Sequence, residues 1–285
     1  MRLKKAEKPD RMPYEKISVP STIILVLVIL ITVFPFYTML VGAFKQSISL
    51  ITYPIDLNPF RSLTLKNITL VWQKSDILLW LKNTFFVGLA VAFLTVFVGV
   101  LAGYAFARIE FRHKKLLFMM VMATMMMPKQ SLLIPNYLVA KGFGLVDNLV
   151  GVILTSVAPA FGVFLSRQYF SSIPAELFEA SEIDGGGEVR KFFTIALPLS
   201  MPVIGTIGIF SFFNCFNDYL WQLVMISSKK LKTLPIGISM YAQSMPGNIA
   251  AQLAVALFAT VPIVVLFLAC QKFFIKGATE GSVKG

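Results

Sequence analysis

Catalytic side chains are scarce in this sequence, and the scarcity narrows its chemistry. His113 is the single histidine and lies in a short basic loop, while Cys215 and Cys270 sit apart inside apolar stretches. A metal centre needs several convergent His, Cys or carboxylate ligands, and nucleophilic hydrolysis needs a positioned base. Neither pattern occurs, nor does a G-x-x-x-x-G-K-[ST] phosphate loop. The expectation is a chain without a catalytic centre, a metal or a cofactor of its own.

Two polar groups remain. Pro174 to Pro202 reads P-A-E-L-F-E-A-S-E-I-D-G-G-G-E-V-R-K-F-F-T-I-A-L-P-L-S-M-P and holds Glu176, Glu179, Glu182, Asp184 and Glu188, five of the fourteen acidic residues. Pro174 suits the first turn of a helix and the early glutamates suit its positive end. Gly185-Gly186-Gly187 stops that helix and lets the chain reverse, with Gly185 expected at positive φ. A second short helix is expected from Glu188 to Leu197-Pro198, which ends it. Leu177, Ala180 and Ile183 form an apolar stripe at helical spacing. Such a segment serves either as a docking surface or as a solvated linker.

The second group is Asn214, Asn217 and Asp218, late in an apolar run. An ionisable residue at bilayer depth is costly and faces a cavity or a partner, which points to pore lining or a gate. The alternative is a helix-end aspartate near the outer interface with Trp221 as a membrane anchor, and the late position favours it.

The elements that position these groups are membrane spans. The chain is 56% hydrophobic and only 14% charged, with mean hydropathy +0.76, against about 25% charged residues in soluble domains. Its net charge of +12 reflects lysines and arginines flanking spans, not a nucleic-acid surface. Six spans are expected: Ile17–Phe44, Asn83–Ala107, a broken or tilted one from Leu116 to about Ala140, Asn148–Ser166, Leu199–Ile226 and Ile249–Gln271. Ser227–Asn248 is expected to be an outer loop, and shortening Lys230–Ser244 is expected to leave assembly intact. The basic tail Met1–Lys16 and the loop Arg108–Lys115 place both termini and the acidic stretch on the cytoplasmic side.

Glu179-Ala180-Ser181, then Gly185, then Ile195-Ala196-Leu197-Pro198, resembles the signature E-A-A-x3-G-x9-I-x-L-P of the membrane subunits of binding-protein-dependent ABC importers. Ser181 for the second alanine is the one departure. P-N-Y-L-V-A-K-G-F-G-L-V-D-N, F-N-D-Y-L-W at Phe216–Trp221 and the ending T-E-G-S-V-K-G are similar to the second permease subunit of the maltose-type, carbohydrate-uptake branch, a likeness covering roughly residues 80 to 285.

The resemblance implies an all-α polytopic protein with six transmembrane helices and a cytoplasmic helix-turn-helix coupling loop. Its parts would be an N-terminal tail (1–18), a first transmembrane helix (19–44), an importer transmembrane domain (80–275) with the coupling loop at 174–198, and a C-terminal tail (276–285). It implies half of a pore for a di- or oligosaccharide in the bacterial cytoplasmic membrane. The partners would be a second permease, two ATPase subunits that bind ATP and Mg, and an extracytoplasmic solute-binding protein. Glu179, Ala180, Ser181, Asp184, Gly185, Ile195, Leu197 and Pro198 would couple to the ATPase. A polyol or glycerol phosphate is the nearest alternative cargo. A secondary carrier is the other class, but such carriers show inverted repeats, and no internal repeat is evident here.

Overall fold

Hydrocarbon offers no partner for backbone N–H and C=O groups, so apolar runs that enter it must satisfy themselves as helices. The computed structural model describes residues 19–46 and 58–280, and is helical nearly throughout. Helices α1 (Val19–Ala43), α2 (Lys66–Lys74) and α3 (Ile77–Arg108) are followed by α4 (Lys114–Met125), α5 (Leu133–Gly142), α6 (Leu149–Ser156) and α7 (Pro159–Ser172). Two short helices, α8 (Glu176–Ile183) and α9 (Glu188–Lys191), flank the triple glycine. From α9 the chain runs through a π-helical stretch, Phe192–Ala196, into α10 (Leu197–Leu199). Then come α11 (Met201–Phe216), α12 (Tyr219–Met225), α13 (Leu234–Ser244) and α14 (Ile249–Glu280). Among the described residues there is no strand, only an isolated bridge between Lys45 and Leu63.

Three helical stretches are long and apolar enough to cross a membrane: Val19–Ala43, Ile77–Arg108 and Ile249–Ala269. Two bent pairs bring the number to five if each is one span: α6 with α7, at 42°, and Glu188–Leu199 with α11, at 72°. The expected third span is divided between α4 and α5, with Pro128 in the break. A twelve-residue helix such as α4 is about 18 Å long and does not cross a hydrocarbon core of about 30 Å by itself. The expected fifth span breaks at Asn217-Asp218, and α14 runs through Glu280 into the expected tail. The tail before Val19 and the last five residues lie outside the described residues.

Helix α3 is the axis of the packing. It lies along α7 and α11, and three buried clusters each take residues from it: Ile77, Trp80 and Ala92; Val87 and Val91; Val100 and Tyr104. Lipid tails are as apolar as leucine, so helices associate in lipid by close van der Waals contact. Glycines make that contact here. A Cβ on Gly99 would sit 2.8 Å from the Gly162 backbone of α7, and one on Gly103 would overlap Ser166.

The segment Ser227–Asn248, expected to be a loop, is not one. It contains a short 3-10 turn, Lys229–Leu231, and α13, and Thr233, Leu234 and Ile236 are fully buried. Its backbone is fastened by side chains. Leu234 N donates to Thr84 Oγ1 at 2.7 Å, and Asn83 Nδ2 donates to the carbonyls of Lys230 and Lys232 at 3.0 and 2.9 Å. Thr233 Oγ1 donates to the Gln222 amide oxygen, and Gln222 Nε2 donates to Cys215 O at 2.7 Å. Asp147 accepts from Ser227 N, Ser228 N and Ser228 Oγ, and these bonds hold its carboxyl below the ordinary carboxylate range, Ser228 foremost. Gly237 lies against the Trp80 ring so closely that any Cβ would overlap it.

Candidate functional site

The acidic stretch folds as a hairpin of short helices whose turn is built by its glycines. Asp184 is the last residue before the reversal, and Gly185 N donates to Glu182 O at 2.9 Å while Gly186 N donates to Ser181 O at 2.8 Å. This pair of bonds is the Schellman closure, which satisfies carbonyls that the helix end leaves open. Gly185 has φ +77, the left-handed conformation that glycine adopts at little cost. Gly186 is needed for a different reason: a Cβ there would meet Ser181 O at 2.7 Å. Gly187 then begins α9.

One ammonium ties the two arms together. Lys191 Nζ contacts Glu182 of α8 at 2.8 Å and Glu188 of α9 at 3.1 Å, and the residue is only 7% exposed. Hydrogen bonding to Lys191 lowers the Glu182 pKa below its ordinary range, and bonds to Glu182 and then Glu188 raise that of Lys191.

Beneath the hairpin, the end of α3 forms its seat. Tyr104 Oη donates to Glu188 Oε2 at 3.0 Å. Its ring packs on Phe170, Phe192 and Phe178, with centroids 5.6, 5.1 and 6.5 Å away. The Arg108 guanidinium lies 4.3 Å from the centroid of the Phe178 ring. Its Nη2 donates to Phe170 O at 2.6 Å and also to Ile173 O, which closes the carbonyl end of α7. Phe178 is the inward residue of α8, and its apolar neighbours point away: Leu177 is 46% exposed and Ile183 88%.

The second arm departs from the expected helix stop at Leu197-Pro198. Proline lacks an N–H and its ring crowds the carbonyl four residues back. The chain avoids that clash by widening: Leu197 N bonds to Phe192 O, five residues back, and the helical run continues to Leu199. The 72° bend follows at Ser200, whose N–H and hydroxyl both donate to Leu197 O, at 3.2 and 2.9 Å. Tyr169 Oη donates to Leu199 O at 2.6 Å and fixes the corner to α7.

The residues singled out from the sequence are placed as follows. Glu179, Ala180, Asp184 and Gly185 are exposed around the hairpin, Ser181 is half-buried, Ile195 and Leu197 pack into the Tyr104 cluster, and Pro198 is exposed. Asn214 stands in the last turn of α11, about 20 Å along it from Met201, and Asn217 and Asp218 follow directly after its end. Asn214 Nδ2 and Asn217 Nδ2 each donate to a carbonyl four residues back, those of Phe210 and Phe213, at 2.9 Å. Asp218 caps α12, accepting from Trp221 N at 3.2 Å. Trp221 is buried rather than anchored at a lipid interface, because its Nε1 donates to Thr155 Oγ1 at 2.9 Å across the bundle. No three His, Cys, Asp or Glu side chains converge on a metal-sized site among the described residues. Sequence reasoning missed Tyr104, Arg108 and Lys191. The signal for the first two was their i, i+4 spacing at the basic end of a span; for Lys191 it was the basic pair Arg190-Lys191 beside clustered glutamates.

Residues 95–279 match the family described as binding-protein-dependent transport system inner membrane component. The chain belongs to this family. The permease protein of the arabinooligosaccharides transport system of Bacillus subtilis is 32% identical over 93% of this chain and 95% of its own length. The melibiose/raffinose/stachyose import permease of the same organism is 32% identical over 88% and 91%. The sn-glycerol-3-phosphate transport system permease of Brucella abortus is 31% identical over 90% and 94%. In fold, the chain resembles one in the crystal structure of a bacterial ABC transporter involved in import of the acidic polysaccharide alginate. That match has a TM-score of 0.70 and 18% identity, and covers 90% of this chain and 95% of that one. The chain is therefore a membrane component of a transport system.

Proposed function

We propose that this chain is one permease subunit of an ATP-driven importer for a di- or oligosaccharide, and that the hairpin of α8 and α9 is its contact with the ATPase. The observation that carries the coupling role is the division of α8 into two faces. Phe178 is locked under Arg108 and Tyr104, while Leu177, Ala180 and Ile183 are presented outward from a water-facing turn. An apolar stripe on a rigid, solvent-side support is a docking surface. Glu179 and Asp184 beside it add charge complementarity to a basic cleft, although exposed pairs contribute only about 0–1 kcal/mol each.

In this reading the chain crosses the membrane six times, α4 and α5 together making the third passage. Both termini and the hairpin face the cytoplasm. A second permease completes the pore, two ATPase subunits bind ATP and Mg, and an extracytoplasmic binding protein delivers the cargo. Closure of the ATPase dimer draws the hairpins together, and the helical run Glu188–Leu199 turns that motion into α11 at the Ser200 corner. Asn214, Asn217 and Asp218, at the other end of α11, line the path or its gate. Amide and carboxylate groups of this kind suit hydroxyl-rich solutes.

The cargo class rests on relatives whose names specify arabinooligosaccharides and melibiose, raffinose and stachyose. The relative named for sn-glycerol-3-phosphate keeps a second cargo in view. Uptake of labelled arabino-oligosaccharide, raffinose and glycerol 3-phosphate, measured in cells with and without this chain, separates them. The expected result is chain-dependent uptake of an oligosaccharide. Chain-dependent uptake of glycerol 3-phosphate alone would replace the sugar reading.

A further inference from the structure

We propose that α3 is a strut that holds the α8–α9 hairpin and the outer segment 227–244 at a fixed separation, so that the binding-protein side and the ATPase side move as one body. The proposal rests on the importer reading above. At one end, Tyr104 donates to Glu188 and Arg108 lies on Phe178, so both arms of the hairpin are seated on α3. At the other end, Asn83 and Thr84 hold the backbone of Lys230, Lys232 and Leu234, and Trp80 packs on Gly237.

The rod between them is continuous. Helix α3 runs from Ile77 to Arg108 with no proline inside it. Its glycines are held by neighbours rather than left free to flex: Gly88 against Phe212, Gly99 against Gly162 and Gly103 against Ser166. Thr84 and Tyr104 are twenty residues apart on it, about 30 Å at 1.5 Å per residue. Sites that far apart, sharing no partner, ordinarily give independent effects. A strut makes them dependent, because cutting either end disconnects the same linkage.

The test is a double-mutant cycle in the assembled transporter, with ATP hydrolysis stimulated by sugar-loaded binding protein as the readout. Tyr104→Phe removes the bond to Glu188 and keeps the ring packing. Thr84→Val removes the acceptor for Leu234 and keeps the shape. Each single variant is expected to co-purify with the ATPase, to keep basal hydrolysis and to lose about fivefold or more of the stimulation, the scale of an ordinary coupling between sites. The double variant is expected to be no worse than either single one. Losses that multiply in the double variant, or full stimulation in either single variant, overturn the strut. If Thr84→Val does not assemble, Asn83→Ala cuts two bonds of the same attachment and takes its place. Stimulation absent from the unaltered transporter would instead overturn the importer reading itself.

Discussion

Lys191 and Gly185 do different work in the hairpin, and their replacements should fail differently. Lys191 joins Glu182 to Glu188, so Lys191→Met leaves two carboxylates facing each other without their cation. It is expected to loosen the hairpin while leaving Tyr104 and the spans in place, seen as faster amide exchange from Gly185 to Lys191. The same clamp has a pH signature. Glu182 has a lowered pKa, so its contribution is present above its unfolded value and is lost as pH falls through the folded one. Lys191 has a raised pKa, so its contribution is present below its unfolded value and is lost as pH rises through the folded one. Protection of the hairpin amides, taken relative to the intrinsic exchange rate at each pH, should therefore be flat through the neutral range and should fall at both extremes; a change of protection near neutrality would contradict this assignment. At Gly185 the constraint is the backbone alone, since nothing lies within 4 Å of a Cβ built there. A non-glycine residue at positive φ costs about 1–2 kcal/mol, and a β-branched one more. The positive φ was legible in the sequence because three glycines follow a short acidic helix. The seat on Tyr104 and Arg108 was not, because it joins residues about seventy positions or more apart, and no local pattern encodes such a meeting.

Helices were legible where their apolar runs were long, and poorly legible where tertiary contacts decide. Hydropathy located α1 within two residues at each end, but began α3 six residues late and ended α14 nine residues early, since a span must be apolar throughout while its helix can extend beyond the apolar run. It read 227–248 as a loop because Lys229, Lys230 and Lys232 and a Pro246-Gly247 turn punctuate it. Proline at the first turn of α13 starts that helix, and Gly237 admits the Trp80 ring. The expectation that shortening leaves assembly intact is withdrawn for the same reason. Deleting 234–244 removes Leu234, Ile236 and Tyr241 from the buried clusters, where truncating one large apolar side chain typically costs about 2–5 kcal/mol. The deleted protein is expected to be absent from the membrane by immunoblot; normal abundance would show the segment to be a connector. Gly99→Leu tests the close approach of α3 and α7. The added side chain meets backbone 2.8 Å away, so the helices must separate. Loss of the assembled complex on size exclusion is expected, and an intact complex would contradict the packing described.

For the whole molecule, orientation and coupling are the claims that matter. The basic tail and the Arg108–Lys115 loop are the basis for proposing that the hairpin faces the cytoplasm. A cysteine replacing exposed Ile183 should resist a membrane-impermeant thiol reagent in intact cells, whereas one replacing Lys230 should react. The reverse pattern would invert the protein and remove the hairpin from any ATPase. The family was legible from the sequence because its motif lies in one contiguous stretch of about twenty residues, Glu179 to Pro198. The pore was not, because in the proposed assembly half of it would come from another chain. The central claim is that the hairpin transmits the work of the ATPase, and it is tested most directly by measuring ATPase co-purification and sugar uptake in the same cells for Gly185→Val and Glu179→Lys. One variant distorts the turn and the other reverses a charge on the exposed face, and neither touches a span. Both are predicted to insert and to assemble with the partner permease, yet to lose uptake, with the ATPase released or hydrolysing without transport. Full uptake with a normal complement of ATPase in both variants would contradict the account.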